Sequence, residues 1–207
     1  MSNIIQFCFT SEKAKELYNG NPPQYETSFA SGFDLRAAEF DATHLKDCII
    51  PKTTIIDKIF SWNKFYLKSK TKPNRGYLQN ANYTPKDCTI YPRGRILIKT
   101  GIRIAMPVME NTIMELQIRS RSGLALKHGI CVLNGIGTID NDYTGELGVI
   151  LYNAGHEPFT INIGDRIAQG VFNPLKQCIW QEVSEKDFEA NFCNTKRGSG
   201  GFGSTGK

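Results

Sequence analysis

The chain has 207 residues, enough for one sizeable domain and too few for two unless one of them is minimal. No run of about 18 apolar residues could cross a bilayer, and no signal-like apolar run follows Met1, so the sequence predicts a soluble protein of the cytoplasm or nucleus. The six cysteines include no CxxC pair, which argues against a zinc or redox site and for reduced thiols: Cys8, Cys48, Cys88, Cys131, Cys178 and Cys193.

Short strands are predicted along most of the chain. An edge strand is expected at 4–9 and a short helix at 11–18, capped by Ser11. A second short helix is expected at 185–192. Elsewhere apolar residues alternate with polar ones between Gly, Pro and Asn, a pattern typical of a β-sandwich or jelly roll. The alternating groups are Ile96 and Ile98; Ile102, Ile104 and Met106; Met114, Leu116 and Ile118; and Phe159, Ile161 and Ile163.

Positive charge is concentrated at 43–87. The chain has a net charge of +5, yet this segment alone contains nine basic and three acidic residues, a local net charge of +6, so the remainder is near −1. Its lysines interleave with aromatic residues, which is compatible with binding of single-stranded nucleic acid, an anionic surface or a protein partner. We favour the alternative that the aromatics (Phe60, Trp62, Phe65, Tyr66 and Tyr77) pack internally while the lysines face water.

Five polar or Gly-rich stretches stand out: SGFDL at 31–35, RSRSGLA at 119–125, GTIDNDYTGELG at 137–148, GDRIAQ at 164–169 and RGSGGFGSTG at 197–206. Their order, and mostly their spacing, closely resemble the trimeric dUTP pyrophosphatase (dUTPase) family. The resemblance implies a mainly β jelly roll, a homotrimer with shared sites, and hydrolysis of dUTP to dUMP and pyrophosphate. Such an enzyme limits uracil incorporation into DNA and supplies dUMP for thymidylate synthesis.

The stretch at 137–148 reads as a tight β-hairpin with candidate catalytic residues. Alone, Asp140 is as compatible with a carboxylate that caps a turn as with a general base. The resemblance implies that Asp140 is the base and that Tyr143 lies against the deoxyribose, where its ring excludes a 2′-hydroxyl. It also implies that Asn134 binds the uracil edge, although Asn before Gly is commonly a plain turn, and that the turn contributes further substrate contacts: Gly137, Thr138, Ile139 and Gly148.

Other motifs are expected to bind phosphate and metal. Arg121 offers a forked cation, Ser122 a hydroxyl, and Gly123 a backbone amide that a phosphate can approach closely. By resemblance, Gln169 meets a phosphate near the cleft between subunits. The implied cofactor is Mg²⁺ held by the three phosphates, with Asp34 touching its shell through water.

A mobile Gly-rich arm is expected at 197–207, following a jelly-roll domain at 1–196. By resemblance, Arg197 contacts the γ-phosphate region, Phe202 stacks on uracil and Gly203 also binds the substrate. Stacking of a base on an aromatic ring contributes about 1–3 kcal/mol. This contribution would help to offset the ordering of the arm.

Two alternatives accompany the dUTPase hypothesis. One is a binding or regulatory role through 43–87, which relatives replace by a shorter connection. The other is a related dCTP deaminase, which needs a catalytic Glu; Glu146 follows the turn and matches no such motif. Asp165 and Arg166 are expected to pair with neighbouring groups and hold their loop.

Overall fold

A computed structural model describes residues 4–41, 46–49, 86–108 and 112–200, with the backbone alone at 46–49. The chain divides into two compact units, Met1–Leu175 and Lys176–Lys207. The predicted boundary between 196 and 197 stays a prediction. Most of the 43–87 segment lies outside the described residues, as do Phe202 and Gly203 of the predicted arm.

The first unit contains two antiparallel sheets, which form the predicted jelly roll. Among the described residues the larger sheet has seven strands: β1 (Gln6–Phe9), β3 (Glu39–Phe40), β4 (Lys46–Ile49), β5 (Asp87–Ala105), β7 (Ile130–Val132), β9 (Glu146–Asn153) and β10 (Phe159–Asn162). The smaller has four strands, ordered β2 (Phe33–Arg36), β11 (Arg166–Leu175), β6 (Ile113–Arg119) and β8 (Gly137–Ile139). Strand β5 pairs with β1, β3, β4, β9 and β10, so one long strand organises the larger sheet.

The two sheets share one hydrophobic core. On β5, Ile96, Ile98 and Ile102 are at most 1% exposed, and on β6 the same holds for Leu116 and Ile118. Successive side chains of a strand point to opposite faces, so apolar residues at every second position form one buried face. The period-two prediction is confirmed for these strands. Full burial of each such side chain contributes about 1.5–3 kcal/mol.

Three short helices accompany the sheets in the described part of the chain. Helix α1 (Glu12–Leu17) begins as predicted after Ser11, whose Oγ accepts from the Ala14 N–H at 3.1 Å. Helix α2 (Ser122–His128) was not predicted, whereas α3 (Glu185–Phe192) confirms the second expected helix. None of these helices is long and apolar enough to cross a membrane.

Tyr18 ties α1 to both sheets. Its hydroxyl donates to the Thr100 carbonyl on β5 at 3.2 Å and accepts from the Arg36 N–H on β2 at 2.9 Å. The side chain is buried, and this burial raises the pKa of Tyr18 to about 12. One phenol therefore satisfies a backbone group in each sheet.

Tyr18→Phe should lower the free energy of unfolding by about 1–3 kcal/mol, because the partly buried Arg36 N–H loses its acceptor. Urea denaturation followed by circular dichroism measures the change. The matched control is Tyr25→Phe, since Tyr25 is 49% exposed, and it should alter stability by no more than about 0.5 kcal/mol. Equal losses in the two variants would contradict the role of the Tyr18 hydroxyl.

The wild type and Tyr18→Phe should also differ in how the free energy of unfolding depends on pH. A tyrosine in the unfolded chain ionises near pH 10, whereas Tyr18 keeps its proton in the folded state to about 12. Its contribution is therefore present below pH 10 and is lost as the pH rises towards 12. Wild type should lose more stability over this interval than Tyr18→Phe.

Candidate active site

Residues 140–145 form a turn that connects the two sheets. Strand β8 pairs with β6, with Gly137 opposite Ile118, whereas β9 pairs with β5. The tight β-hairpin predicted at 137–148 is therefore wrong, because its two strands lie in different sheets. The eight-residue β9 pairs with the long strand β5, and the three-residue β8 is the edge strand of the smaller sheet.

A cavity of about 520 Å³ opens beside this turn. Aliphatic side chains from both sheets form part of its wall, including Leu97 and Ile118. Six of the residues predicted to bind substrate line it as well: Asn134, Gly137, Thr138, Ile139, Tyr143 and Gly148. The fold thus gathers polar and backbone groups around an apolar wall, an arrangement suited to a small polar ring.

The Tyr143 ring is fixed by backbone contacts and remains 43% exposed. The Tyr143 hydroxyl donates to the Glu146 carbonyl at 2.9 Å, and the Tyr143 backbone N–H donates to the Asp140 carbonyl at 3.1 Å. A Cβ at Gly145 would overlap the Tyr143 hydroxyl, so the ring can lie over this position only because it is glycine. The ring is thereby held as a rigid wall of the cavity.

Asp140 begins the turn immediately after Ile139, a residue of the cavity wall. Its side chain is exposed, while its backbone carbonyl is bound by Tyr143. The neighbouring Asn141 amide donates to the Pro107 carbonyl at 3.4 Å. Asp140 is therefore an exposed carboxylate on an anchored backbone that follows a cavity residue in the chain, and it does not itself line the cavity.

Two charged residues line the cavity wall although neither was predicted to lie there. Lys99 donates to Glu39 at 3.2 Å, and this hydrogen bond is the main reason that the pKa of Lys99 is raised. Glu146, discounted as a deaminase residue, accepts from the Gly101 N–H at 2.8 Å. No pattern around either residue signalled these contacts, since both depend on the pairing of strands far apart in sequence.

A second group of predicted residues surrounds Asp34, which is only 9% exposed. Its two carboxylate oxygens accept from Arg121 and from Arg166, each at 3.0 Å. Arg166 also contacts Glu26 at 2.9 Å, and Arg121 donates to the Arg166 carbonyl at 3.2 Å. The expected pairing of Arg166 is confirmed, and Asp165 accepts from the Asn162 N–H of its own turn at 2.8 Å.

The other predicted phosphate contacts lie close by in the fold. Ser122 and Gly123 are exposed in the first turn of α2, directly after Arg121. Gln169 pairs with Asp34 across β11 and β2. Arg121 also lines a second cavity of about 310 Å³ and not the first, so the structure places the predicted residues in two groups.

The second unit holds the start of the predicted arm. There the Arg197 guanidinium donates to the Gly200 carbonyl at 2.9 Å. The roles predicted for Arg197 and for Phe202 and Gly203, which lie outside the described residues, stay predictions.

The sequence matches the family model described as dUTPase over residues 70–206. A deoxyuridine 5'-triphosphate nucleotidohydrolase of Desulfotalea psychrophila is 52% identical over 120 residues, covering 58% of this chain and 73% of the relative. One of Ehrlichia canis is 44% identical over 156 residues, covering 74% of this chain and 97% of the relative. The chain therefore belongs to the dUTPase family.

Solved structures agree with this fold. A variant of the Staphylococcus bacteriophage 80alpha dUTPase with dUpNHpp aligns over 100% of both chains, with a TM-score of 0.63 and 18% identity. A variant of the dUTPase from phage phi11 of S. aureus, described for coordination of a structural Mg(II) ion, has a TM-score of 0.55 and 19% identity, covering 90% of this chain and 99% of the other. At such identity the likeness shows a shared fold.

Asp34→Ala should lower the free energy of unfolding by about 1.5–3 kcal/mol, because two guanidinium groups lose a shared and largely buried acceptor. Glu26→Ala is the matched control, since this carboxylate contacts the same Arg166 but is 65% exposed; it should cost at most about 1 kcal/mol. Urea denaturation compares the two. A loss in Glu26→Ala as large as in Asp34→Ala would show that the Asp34 contacts are not the stabilising ones.

Proposed function

We propose that this chain hydrolyses dUTP to dUMP and pyrophosphate at the cavity beside the 140–145 turn, with Asp140 as the general base. The observation that carries the proposal is the convergence of the predicted nucleobase and sugar contacts on one cavity, whose wall includes Ile139, the residue before Asp140. The reaction limits uracil incorporation into DNA and supplies dUMP for thymidylate synthesis.

Base selection depends on hydrogen-bond pattern. Uracil presents an O4 acceptor and an N3–H donor, whereas cytosine presents an amino donor and an N3 acceptor. Asn134 and the β8 backbone at 137–139 line the cavity wall and recognise the first pattern. Cytosine would leave polar groups unpaired, a penalty of about 1–3 kcal/mol for each neutral group. We infer that thymine is excluded sterically, through contact of its 5-methyl group with the cavity wall.

Tyr143 selects deoxyribose over ribose. Its ring is anchored at the hydroxyl and supported by the backbone at Gly145, so it cannot retreat without breaking a hydrogen bond. The ring occupies the space that a ribose 2′-hydroxyl needs. Deoxyribose packs against it without displacement.

Asp140 orients a water molecule and accepts its proton as the water oxygen attacks the α-phosphorus. The bond between the α-phosphorus and the bridging oxygen to the β-phosphate breaks, and pyrophosphate leaves with that electron pair. A positioned general base contributes roughly 10²–10⁴ in rate. The exposed carboxylate on an anchored backbone suits this task, because the base must meet solvent yet keep its position.

Arg121, Ser122, Gly123 and Gln169 bind the triphosphate. Arg121 is held by Asp34 through Nε, so its guanidinium is oriented before the substrate arrives. An oriented fork loses less side-chain entropy on meeting phosphate oxygens than a free arginine does.

The residues present fit a magnesium ion carried mainly by the substrate. The described part of the chain has no cluster of three or more His, Cys, Asp or Glu that could hold a metal. The Asp34 oxygens each accept one arginine hydrogen bond and retain lone pairs for a metal-bound water. Mg²⁺ keeps several waters and binds substrate phosphates readily, and when bound it neutralises phosphate charge.

The complete site takes parts from more than one copy of the chain. A homotrimer shares its sites between subunits, and the Gly-rich arm contributes Arg197 to the γ-phosphate region while Phe202 stacks on the uracil. The 43–87 insertion remains a candidate surface for nucleic acid or a protein partner beside this activity.

The substrate assignment is tested by measuring pyrophosphate release from dUTP, dCTP, dTTP and UTP. The value of kcat/KM for dUTP should exceed that for each of the other three by at least about a hundredfold, since rejection combines unpaired polar groups and steric exclusion. Comparable rates for dUTP and dCTP would overturn the proposed base recognition. Ammonia release from dCTP would favour a deaminase.

Asp140→Asn should lower kcat by at least about a hundredfold, because the carboxamide cannot accept the proton. Binding of dUpNHpp, measured calorimetrically, and the thermal midpoint should stay near wild type. Asp142→Asn supplies the control, as this exposed carboxylate lies in the same turn. Near-normal turnover in Asp140→Asn would refute the assignment of the base.

A further inference from the structure

Strands β5 and β9 fall out of register next to the candidate active site. Lys99 lies opposite Gly148 and Arg103 opposite Glu146, so four steps along β5 match two along β9. The extra residues form a bulge at 100–102, and its central Gly101 has φ +77, a conformation that favours glycine. A bulge leaves backbone groups without partners in the ladder.

Two side chains satisfy this bulge. The Glu146 carboxylate accepts from the Gly101 N–H at 2.8 Å, and the buried Thr100 hydroxyl donates to the Leu147 carbonyl at 2.9 Å. Charge-assisted hydrogen bonds like that of Glu146 are shorter and stronger than neutral ones. The Glu146 side chain therefore fixes the first residue of β9 against β5.

This contact bears on Tyr143 through the backbone. The Tyr143 hydroxyl donates to the carbonyl of Glu146, the residue whose side chain holds the bulge. On the preceding side, the Arg103 guanidinium donates through Nε to the Thr144 carbonyl at 2.7 Å. The backbone that supports the tyrosine ring is thus attached to β5 at both ends.

We propose that Glu146 is a positioning residue that sets the discrimination between deoxyribose and ribose, with Arg103 as its second attachment. Removing the carboxylate frees Gly101 and lets the backbone at 144–146 shift, so the Tyr143 ring no longer fills the space of the 2′-hydroxyl. The inference rests on the proposed function, because it concerns selectivity at the same cavity.

Glu146 also lines the cavity with a negative charge, so a direct electrostatic effect on the substrate is the rival explanation. Glu146→Gln separates the two: the carboxamide oxygen can still accept from Gly101, but the charge is gone. Glu146→Ala removes both the hydrogen-bond acceptor and the charge. Glu12→Ala is the matched control, since this carboxylate is 88% exposed and contacts only Lys15 among the described ion pairs.

The experiment compares the ratio of kcat/KM for dUTP to that for UTP in each variant, by pyrophosphate release. Glu146→Ala should lower this ratio about tenfold, since small displacements of a positioning group cost rate steeply. Glu146→Gln should stay within about twofold of wild type because its acceptor remains, and Glu12→Ala should match wild type. A wild-type ratio in Glu146→Ala, or equal losses in the Ala and Gln variants, would overturn the proposal.

A double-mutant cycle that combines Glu146→Ala with Tyr143→Phe tests whether Glu146 acts through Tyr143. If Glu146 acts through the tyrosine hydroxyl, the two losses of selectivity should be strongly non-additive; additive losses would overturn that route. Should Glu146→Ala fail to fold, Arg103→Met takes its place, with a lowered ratio expected and an unchanged ratio overturning the proposal. If the wild-type protein releases no pyrophosphate from dUTP, the proposed function itself is wrong.

Discussion

The pairing of β5 with five other strands is the constraint on which the rest of the fold depends. This one strand of 19 residues carries the buried Ile96, Ile98 and Ile102, receives the hydroxyl of Tyr18 at Thr100, and contributes Leu97 and Lys99 to the cavity. Its bulge at 100–102 changes the register of β9 just where the candidate site begins. The position of the site therefore follows from backbone hydrogen bonding along a single strand, and side-chain chemistry is added to that frame.

Charge organises the second half of the site. The largely buried Asp34 carboxylate accepts hydrogen bonds from two arginines at once, which orients Arg121 without closing off its remaining N–H groups. Under the proposed function, the apolar cavity and the arginine pair serve different parts of a nucleotide. One side offers a wall for a flat base and a sugar, and the other offers forked donors for oxyanions. This division of labour agrees with membership of the dUTPase family.

Much of the fold and part of the site could be predicted from the sequence. Alternation of isoleucine, leucine and methionine predicted the buried faces, because side-chain direction has period two in any strand. The resemblance to the dUTPase family indicated the residues around Tyr143 that line the cavity. The sheets to which β8 and β9 belong could not be predicted, because β8 pairs with β6 and β9 pairs with β5 and the two do not pair with each other. Glu146 was missed for a related reason: its contact is with a backbone N–H that a bulge exposes some 45 residues earlier.

The 140–145 turn is the covalent link between β8 in one sheet and β9 in the other. Several segments join the two sheets, and this one carries Asp140 and Tyr143, so a change in the spacing of the two layers also acts on these two residues. A substitution that alters side-chain volume at Leu116 or Val149 would reach the chemistry without touching a ligand. An interior substitution at these positions therefore has two separate readouts, the melting temperature and turnover, and it can be silent in one assay while visible in the other.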